Sequence, residues 1–429
     1  MNTRSLKEKI GQQVTLSGWV ANNRNSGKIG FIQFRDGVDT IQVVYLSTDF
    51  TEEQYKELSK LNIETSVKVT GEIKQTDKAV LGYEMKLSSY EVIGESSEDY
   101  PISLKEHGTE FLMDNRHLWL RTAKQAAIMR VRDHLMREVY NFFHKEGFYN
   151  TSAPIITSTF AEDSTELFKF DYFGKDGFLS QSGQLYGEVA AMALGKVYTF
   201  GPTFRSEKSR TRKHLTEFWM IEPEMAYYDH EMSLDVQERF VEHLVQTTLV
   251  DCKRELEILE RDTSVLEKIK APFPRINYVD GIKKLNELGY DDIKYGDDYG
   301  TPHEKAIAAL YEKPVFITNW PAHIKAFYMQ PDPENPELVK CADLIAGEGY
   351  GEIIGGSERI NDFKLLEEKM KAENLSEEDY YWYLDLRRYG SVPHSGFGLG
   401  FERTVSWICG LEHIRESIPF PRLTNRIKP

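Results

Sequence analysis

The strongest constraint on this chain is a change of hydrophobic period between its first hundred residues and the rest. Val14, Leu16, Gly18 and Val20 alternate with polar neighbours, as do Val67, Val69 and Gly71, and then Tyr83, Met85 and Leu87. Two further β-rich runs occupy residues 29–34 and 41–45. A period of two in short runs predicts half-buried strands. Residues 52–61, between the third and fourth runs, read as a short helix. Five strands with a helix before the fourth suit an OB-fold barrel, a frequent binder of single-stranded nucleic acid. Any other small β barrel fits the periodicity equally well.

A polar linker at 94–99 leads into an irregular stretch reaching about Arg121. Beyond it the period changes. Ile128, Val131, Leu135, Val139 and Phe142 recur at three- and four-residue steps behind Thr122, an N-cap residue, and ahead of Gly147, a C-cap residue. β-rich runs at 177–182, 197–204, 217–228 and 351–355 then predict an α+β domain with a mainly antiparallel sheet. The acidic stretches near Glu367 and Glu377 read as solvated faces or loops. The resulting division is 1–97 as the barrel, 98–121 as a linker or hinge, and 122–429 as the second domain.

Charge and cysteine usage narrow the function. A net charge of −15 argues against a protein that coats nucleic acid without specificity. Cys252, Cys341 and Cys409 lie too far apart for a zinc ligand set or a disulfide framework and suit a reducing compartment. No stretch approaches the ~20 apolar residues of a membrane helix. Residues 1–11 carry no apolar run of the secretory type, so a cytoplasmic protein is expected.

Three segments carry chemistry. In the first, Phe204-Arg205-Ser206-Glu207 precedes a loop in which Arg205, Lys208, Arg210, Arg212 and Lys213 place five cations within nine residues. A polyphosphate or a nucleic-acid end accounts for such a concentration; so does a solvated hairpin tip. The strand that follows, Glu217-Phe218-Trp219-Met220-Ile221-Glu222-Pro223-Glu224, puts Phe218, Met220, Glu222 and Glu224 on one face. Phe218 and Glu222 then stand ~13 Å apart, enough to bracket an aminoacyl-adenylate, although a strand Phe also serves as core. The second segment is Gly351-Glu352-Ile353-Ile354-Gly355-Gly356-Ser357-Glu358-Arg359, with Asp343 upstream. Its glycines admit a ligand close to the backbone, and its carboxylates are of the kind Mg²⁺ shares with ATP phosphates. The third is Gly396-Phe397-Gly398-Leu399-Gly400-Phe401-Glu402-Arg403, running into a helix through about Cys409. Its G-x-G-x-G spacing departs from the dinucleotide G-x-G-x-x-G, and no βαβ unit follows. Arg403, at a helix start, suits a phosphate clamp or a surface ion pair.

In this order the segments resemble the three motifs of class II aminoacyl-tRNA synthetases. The helix over 123–146 and the strand carrying Pro154 look like motif 1, residues 204–224 like motif 2, and 396–403 with its helix like motif 3. Gly18-Trp19-Val20, Arg24, Phe31, Arg35-Asp36 and Gln42 resemble the anticodon-binding OB domain of the aspartyl, asparaginyl and lysyl subgroup. Within that subgroup the likeness is to the bacterial asparaginyl enzymes, through residues 217–224, Arg388-Tyr389-Gly390-Ser391-Val392-Pro393-His394 and Ile418-Pro419-Phe420-Pro421-Arg422. Aspartyl enzymes resemble this chain at Gln181-Ser182-x-Gln184-Leu185 but carry a Lys where this chain has Gly187. That Lys and the arginine matching Arg359 face the substrate carboxylate. With one cation missing and Glu222 as an acceptor, a neutral amide fits better, and no editing domain is required.

The resemblance implies ATP-dependent activation of asparagine followed by transfer to tRNA(Asn), with Mg²⁺ as cofactor. It implies Arg205 on the α-phosphate, Arg403 on the γ-phosphate, Glu207 on the adenine or the tRNA end, His214 near the outer phosphates, Phe218 stacked on adenine, and Gly398 in the ATP site. Glu352 and Asp343 would hold the metal. Glu162, Gln184, Glu222 and Arg359 would bind the amino acid, and Arg24, Phe31 and Gln42 the anticodon. The alternatives are an aspartyl enzyme, non-discriminating or not, a non-catalytic tRNA-binding paralogue, and a free asparagine synthetase. Met129, Tyr140 and Phe143 lie partly off the apolar stripe of the 123–146 helix, and Pro154 suits an edge strand. Together with motif 1 they predict a homodimer.

Overall fold

The structure is a computed structural model and describes residues 1–161, 167–208 and 211–429. Two compact units result, Met1–Trp119 and Leu120–Pro429.

In the first unit, β1 (Gln13–Ser26), β2 (Ile29–Arg35), β3 (Thr40–Leu46), β4 (Ser66–Gln75) and β5 (Tyr83–Gly94) close into a barrel of order β1-β2-β3-β5-β4. Helix α1 (Glu52–Ser59) precedes β4. Thr51 caps it, with Gln54 answering in a capping box. The alternating residues behave as predicted: Val14, Leu16, Val20, Ile32, Phe34, Val43, Val67 and Val69 fill the barrel. Gly18 and Gly71 mark where strands press together, since a Cβ at either would lie 2.3 Å from the Arg35 carbonyl oxygen or 2.2 Å from that of Lys86. The stretch expected to be an irregular linker holds two short helices, α2 (Thr109–Asp114) and α3 (Arg116–Trp119).

The second unit opens with α4 (Ala123–Lys145), β6 (Tyr149–Asn150) and β7 (Ile156–Thr157). β8 (Lys169–Tyr172), β9 (Lys175–Leu179), α5 (Gln184–Leu194), β10 (Lys196–Phe204), β11 (Glu217–Ala226) and α6 (His230–Asp251) follow. Then come α7 (Lys253–Ile258), α8 (Ser264–Glu267), β12 (Arg275–Asn277), α9 (Tyr278–Glu287), α10 (Thr301–Ala308), β13 (Val315–Thr318), β14 (Cys341–Ala346) and β15 (Gly351–Glu358). The unit ends with α11 (Phe363–Ala372), α12 (Glu377–Arg388), β16 (His394–Gly400) and α13 (Phe401–Cys409). The main sheet has the order β12-β13-β14-β15-β16-β11-β10-β6. It is antiparallel except where β6 meets β10 and β12 meets β13.

One face of this sheet is core. Ile221 and Met225 of β11, Phe397 and Leu399 of β16 and Ile354 of β15 pack with the stripe of α4, with Phe240 and Leu244 of α6, and with α13. Strand parity then sends Phe218, Met220, Glu222 and Glu224 to the opposite face, where no helix of this core lies. No helix among the described residues is long and apolar enough to cross a membrane.

Two expectations change. Phe143 is not part of a spare face: it is fully buried and stacks on Tyr198 at 4.6 Å. Pro154 lies between β6 and β7, in no strand, and β6 rather than the Pro154 segment forms the sheet edge. The acidic stretches near Glu367 and Glu377 are solvated faces, as expected: Glu368, Glu377 and Glu378 lie exposed on α11 and α12, whose other sides bury Leu366, Met370, Tyr380, Tyr383 and Leu384.

Candidate active site

The open face of the sheet is nearly bare backbone at its centre. β16 places Gly396, Gly398 and Gly400 on it, alongside Glu224 and Met220 of β11. A Cβ at Gly396 would meet the Glu224 carboxylate at 2.2 Å, and one at Gly398 would meet Met220 Cε at 2.7 Å. The alternate glycines therefore make room for β11 side chains to lie down over β16. This geometry accounts for G-x-G-x-G better than close approach to a dinucleotide would.

Two adjoining cavities stand on this floor, of 380 Å³ and 280 Å³, and both are bounded by Arg205, Met220, Glu352 and Gly398. The larger is densely charged, with Glu304, Glu352 and Glu402 among its lining as well as cations. Arg205, Lys213, His214 and Arg403 line it with Glu207 and Phe218. Arg205 lies over the Phe218 ring at 5.5 Å, and its Nε is buried with no hydrogen-bond partner among the described residues. Arg403 donates to the Glu352 carbonyl oxygen. His214 Nε2 stands 3.8 Å from Glu207 Oε2. Burial pushes His214 below the usual imidazole range, against the pull of Glu207, and the cations Arg403, Arg205 and Lys213 push it the same way. Arg210 falls outside the described residues.

The smaller cavity is lined by Gln184, Glu222, Glu224, Lys325, Tyr328 and Arg359, among others. Arg359 forks onto Glu224: Nη2 donates to Oε1 at 2.5 Å and Nε to Oε2 at 3.3 Å, with both side chains at most 3% exposed. Burial, with Glu188 and Glu222 nearby, works to raise the Glu224 carboxyl, and the Arg359 guanidinium forked onto both of its oxygens opposes this and holds the pair ionised. Gly187, one turn into α5, faces the same carboxylate, with its absent Cβ 3.2 Å from Glu224 Cγ. Glu222 is held differently. It accepts from Ser182 Oγ at 2.5 Å, the Gly183 N–H at 2.7 Å and Thr199 Oγ1 at 3.2 Å, and so anchors the turn that leads into α5. Glu162 lies outside the described residues.

Asp343 and Glu352 come together although nine positions separate them. A register shift after Leu344 pairs Ile345 with Glu352 and turns Glu352 onto the Asp343 face. Both carboxylates then overhang Gly355, whose absent Cβ would lie 2.8 Å from Glu352 Oε1 and 3.7 Å from Asp343 Oδ1. Such an all-oxygen pair fits a hard divalent cation completed by phosphate and water oxygens. One Asp343 oxygen also accepts from Lys325 Nζ at 2.6 Å. Among the described residues, no three His, Cys, Asp or Glu side chains form a metal cage.

Sequence reasoning missed several residues here. Glu224 was placed on the right face but not paired with Arg359. Lys325 and Tyr328 arrive on the aperiodic stretch before β14, and Glu304 on α10 enters the larger cavity. No local pattern announces them. In the barrel, Arg24 and Phe31 are register partners with the guanidinium 5.3 Å from the ring centroid. Phe31 points away from the core residues Ile32 and Phe34. Gln42 lies on the same face, donating to Glu84 at 2.8 Å.

The profile of the family "tRNA synthetases class II (D, K and N)" matches residues 108–424. The chain belongs to the class II aminoacyl-tRNA synthetases. The "OB-fold nucleic acid binding domain" matches residues 14–93 of the synthetase. Among solved structures, the asparaginyl-tRNA synthetase from Pyrococcus horikoshii, complexed with asparaginyl-adenylate, is 42% identical. That match covers 100% of this chain and 99% of the other, with a TM-score of 0.96. The asparaginyl-tRNA synthetase of Entamoeba histolytica, also in complex with asparaginyl-adenylate, is 31% identical over 98% and 97% of the two chains, with a TM-score of 0.89. The aspartyl-tRNA synthetase of the same organism is 25% identical over 100% and 93%, with a TM-score of 0.85.

The glycine floor generates a stability prediction for the synthetase. Gly396→Ala forces a methyl into the Glu224 carboxylate and should destabilise the catalytic unit by on the order of 3 kcal/mol, the scale of breaking a buried ion pair. Gly398→Ala meets only the mobile end of Met220 and should cost less. Thermal unfolding of both variants checks the order; equal, small effects would show that the floor does not need its glycines.

Proposed function

We propose that this synthetase is an asparaginyl-tRNA synthetase, which joins L-asparagine to ATP as asparaginyl-adenylate and then loads the asparaginyl group onto tRNA(Asn). The observation that carries the substrate choice is the Arg359–Glu224 pair beside Gly187. Its net charge is zero, and it offers a donor and an acceptor side by side. A side-chain amide matches both, its oxygen on Arg359 and its NH₂ on Glu224. A carboxylate there would confront Glu224 with no second cation at position 187, and an unpaired buried charge is costly. Two of the solved relatives hold asparaginyl-adenylate, which supports the same reading.

In the first step the asparagine carboxylate attacks the α-phosphorus of ATP. A carboxyl–phosphate bond forms, and pyrophosphate leaves. Positioning and charge stabilisation do most of this work. Arg205, where the two cavities meet, bridges the substrate carboxylate and the α-phosphate. Arg403 and His214 hold the outer phosphates, Phe218 stacks on adenine, and Glu207 contacts the adenine or the tRNA end. Gly398 keeps the floor open beneath. Gln184, with Glu162, takes the α-ammonium, and Glu222 keeps the wall of the amino-acid cavity in place. A bound Mg²⁺, held by Glu352 and Asp343, would offset negative charge on the phosphates. In the second step a hydroxyl of the terminal adenosine attacks the acyl carbon and releases AMP. Arg24, Phe31 and Gln42 form the anticodon surface of the barrel. An aspartate-loading reading lacks the cation that Gly187 replaces.

The protein is further proposed to act as a homodimer. Tyr140, Tyr149, Ile155 and Ile156 expose apolar surface around the motif 1 segment. Sedimentation equilibrium at assay concentration should give twice the 49.6 kDa chain mass, and a fully active monomer would end the proposal.

Charging assays test the function itself. Purified tRNA(Asn) should accept radiolabelled asparagine in an ATP-dependent reaction, and tRNA(Asp) should not accept aspartate. Phe31→Ala should weaken tRNA binding by about 1–3 kcal/mol, the worth of a lost base stack, and leave tRNA-independent activation unchanged. A lower melting temperature of the N-terminal unit with normal tRNA affinity would mean that the ring is only structural.

A further inference from the structure

One buried carboxylate in the catalytic unit has no part in the mechanism above. Glu188 lies on α5, four residues after Gln184, and is completely buried. Its Oε1 accepts from Tyr383 Oη at 2.8 Å and from Gln184 Nε2 at 3.2 Å. Its Oε2 accepts from Arg387 Nη2 at 2.7 Å and His394 Nε2 at 2.9 Å. Tyr383 and Arg387 stand one turn apart on α12, and His394 opens β16. Three separate elements thus converge on a single carboxylate. Burial alone would push Glu188 upward, but Arg387 and His394 outweigh it and hold the carboxyl well below its usual range. An ionised carboxylate is acceptor-only.

That restriction has a consequence for Gln184. An amide has one donor end and one acceptor end, and nothing in Gln184 itself decides which faces the cavity. Glu188 decides it: the NH₂ end must turn toward the carboxylate, so the carbonyl oxygen turns out. Gln184 lines the amino-acid cavity, and among the described residues no side chain or backbone group donates to its Oε1. A carbonyl oxygen presented to the cavity attracts an ammonium; an NH₂ would repel it.

We propose that Glu188 is a positioning residue that fixes the polarity of Gln184, so that Gln184 Oε1 receives the α-ammonium of the amino acid. This rests on the amino-acid-activating reading above. Tyr383, Arg387 and His394 hold Glu188 ionised and in place, which ties the amino-acid cavity to α12 and to the start of the glycine strand.

ATP–pyrophosphate exchange with the full chain tests the proposal through coupling. Glu188→Gln lets residue 188 donate as well as accept, which frees Gln184 to turn over. The KM for asparagine should rise roughly 10- to 100-fold, the range for losing a hydrogen bond to a charged group, while the KM for ATP stays within about twofold. Gln184→Met should raise the asparagine KM similarly. The double variant should be little worse than either single one, because both remove the same acceptor. If the two effects instead multiply, or if the KM values for ATP and asparagine rise together, Glu188 acts through general structure and the proposal fails. Should Glu188→Gln not fold, Glu188→Asp takes its place: it keeps the charge but draws the carboxylate back from Gln184 Nε2. A rise in the asparagine KM that vanishes in the Gln184→Met background supports the proposal, and no rise overturns it. A wild-type enzyme that exchanges with another amino acid would remove the asparagine reading but leave this comparison intact, since every amino acid carries the α-ammonium.

Discussion

The substrate end of this molecule depends on one buried ion pair. Arg359 and Glu224 meet in a two-pronged contact at the floor of the smaller cavity, almost completely removed from water. Such a pair adds little stability by itself, because desolvation opposes most of the Coulomb attraction. It does, however, make the cavity particular. Its charges cancel, its polar atoms are fixed in direction, and a ligand that leaves either unpaired loses the free energy of a buried hydrogen bond. Ser357 Oγ accepts from Arg359 Nη1 at 2.7 Å, and the guanidinium lies 5.2 Å from the Tyr328 ring centroid. The arginine has therefore little freedom to swing toward a different ligand.

The pair exists because of residues that are missing. Gly396 leaves the space in which the Glu224 carboxylate lies, and Gly187 leaves room for the Glu224 Cγ beside it. A similar economy operates at Gly355, where the absent side chain lets Asp343 and Glu352 approach each other. The catalytic sheet is thus asymmetric by design of its sequence. On one face Ile221, Phe397 and Leu399 anchor it to helices. On the other, alternate glycines let the Glu224 and Met220 side chains lie flat beneath the cavities. The rigid strands, rather than loops, carry Glu222, Glu224 and Gly398, and that favours a precisely held substrate.

Much of this was legible in the sequence, and the remainder was not for definable reasons. Period-two alternation located the barrel strands because one face of each is core, and the same parity rule put Phe218, Met220, Glu222 and Glu224 together on the open face. Parity could not say which carboxylate meets Arg359, since that depends on β16 alone lying between β15, which leads into Arg359, and β11. The charge argument took Glu222 as the acceptor for the amide, whereas the fold gives its oxygens to Ser182, Gly183 and Thr199. The approach of Asp343 to Glu352 needed a register shift that spacing alone does not reveal. Lys325, Glu304 and Glu188 reach their places through tertiary packing. Phe143 was misassigned because a single helix pattern cannot distinguish a face buried by its own chain from one buried by a partner.

The claim that a neutral, glycine-flanked ion pair selects the amide over the acid is tested most directly by tRNA-independent ATP–pyrophosphate exchange with asparagine and aspartate on the same enzyme. The account predicts a preference for asparagine in kcat/KM of roughly 10³-fold or more, as expected where the wrong side chain leaves buried polar groups unpaired. Equal or faster exchange with aspartate would contradict it.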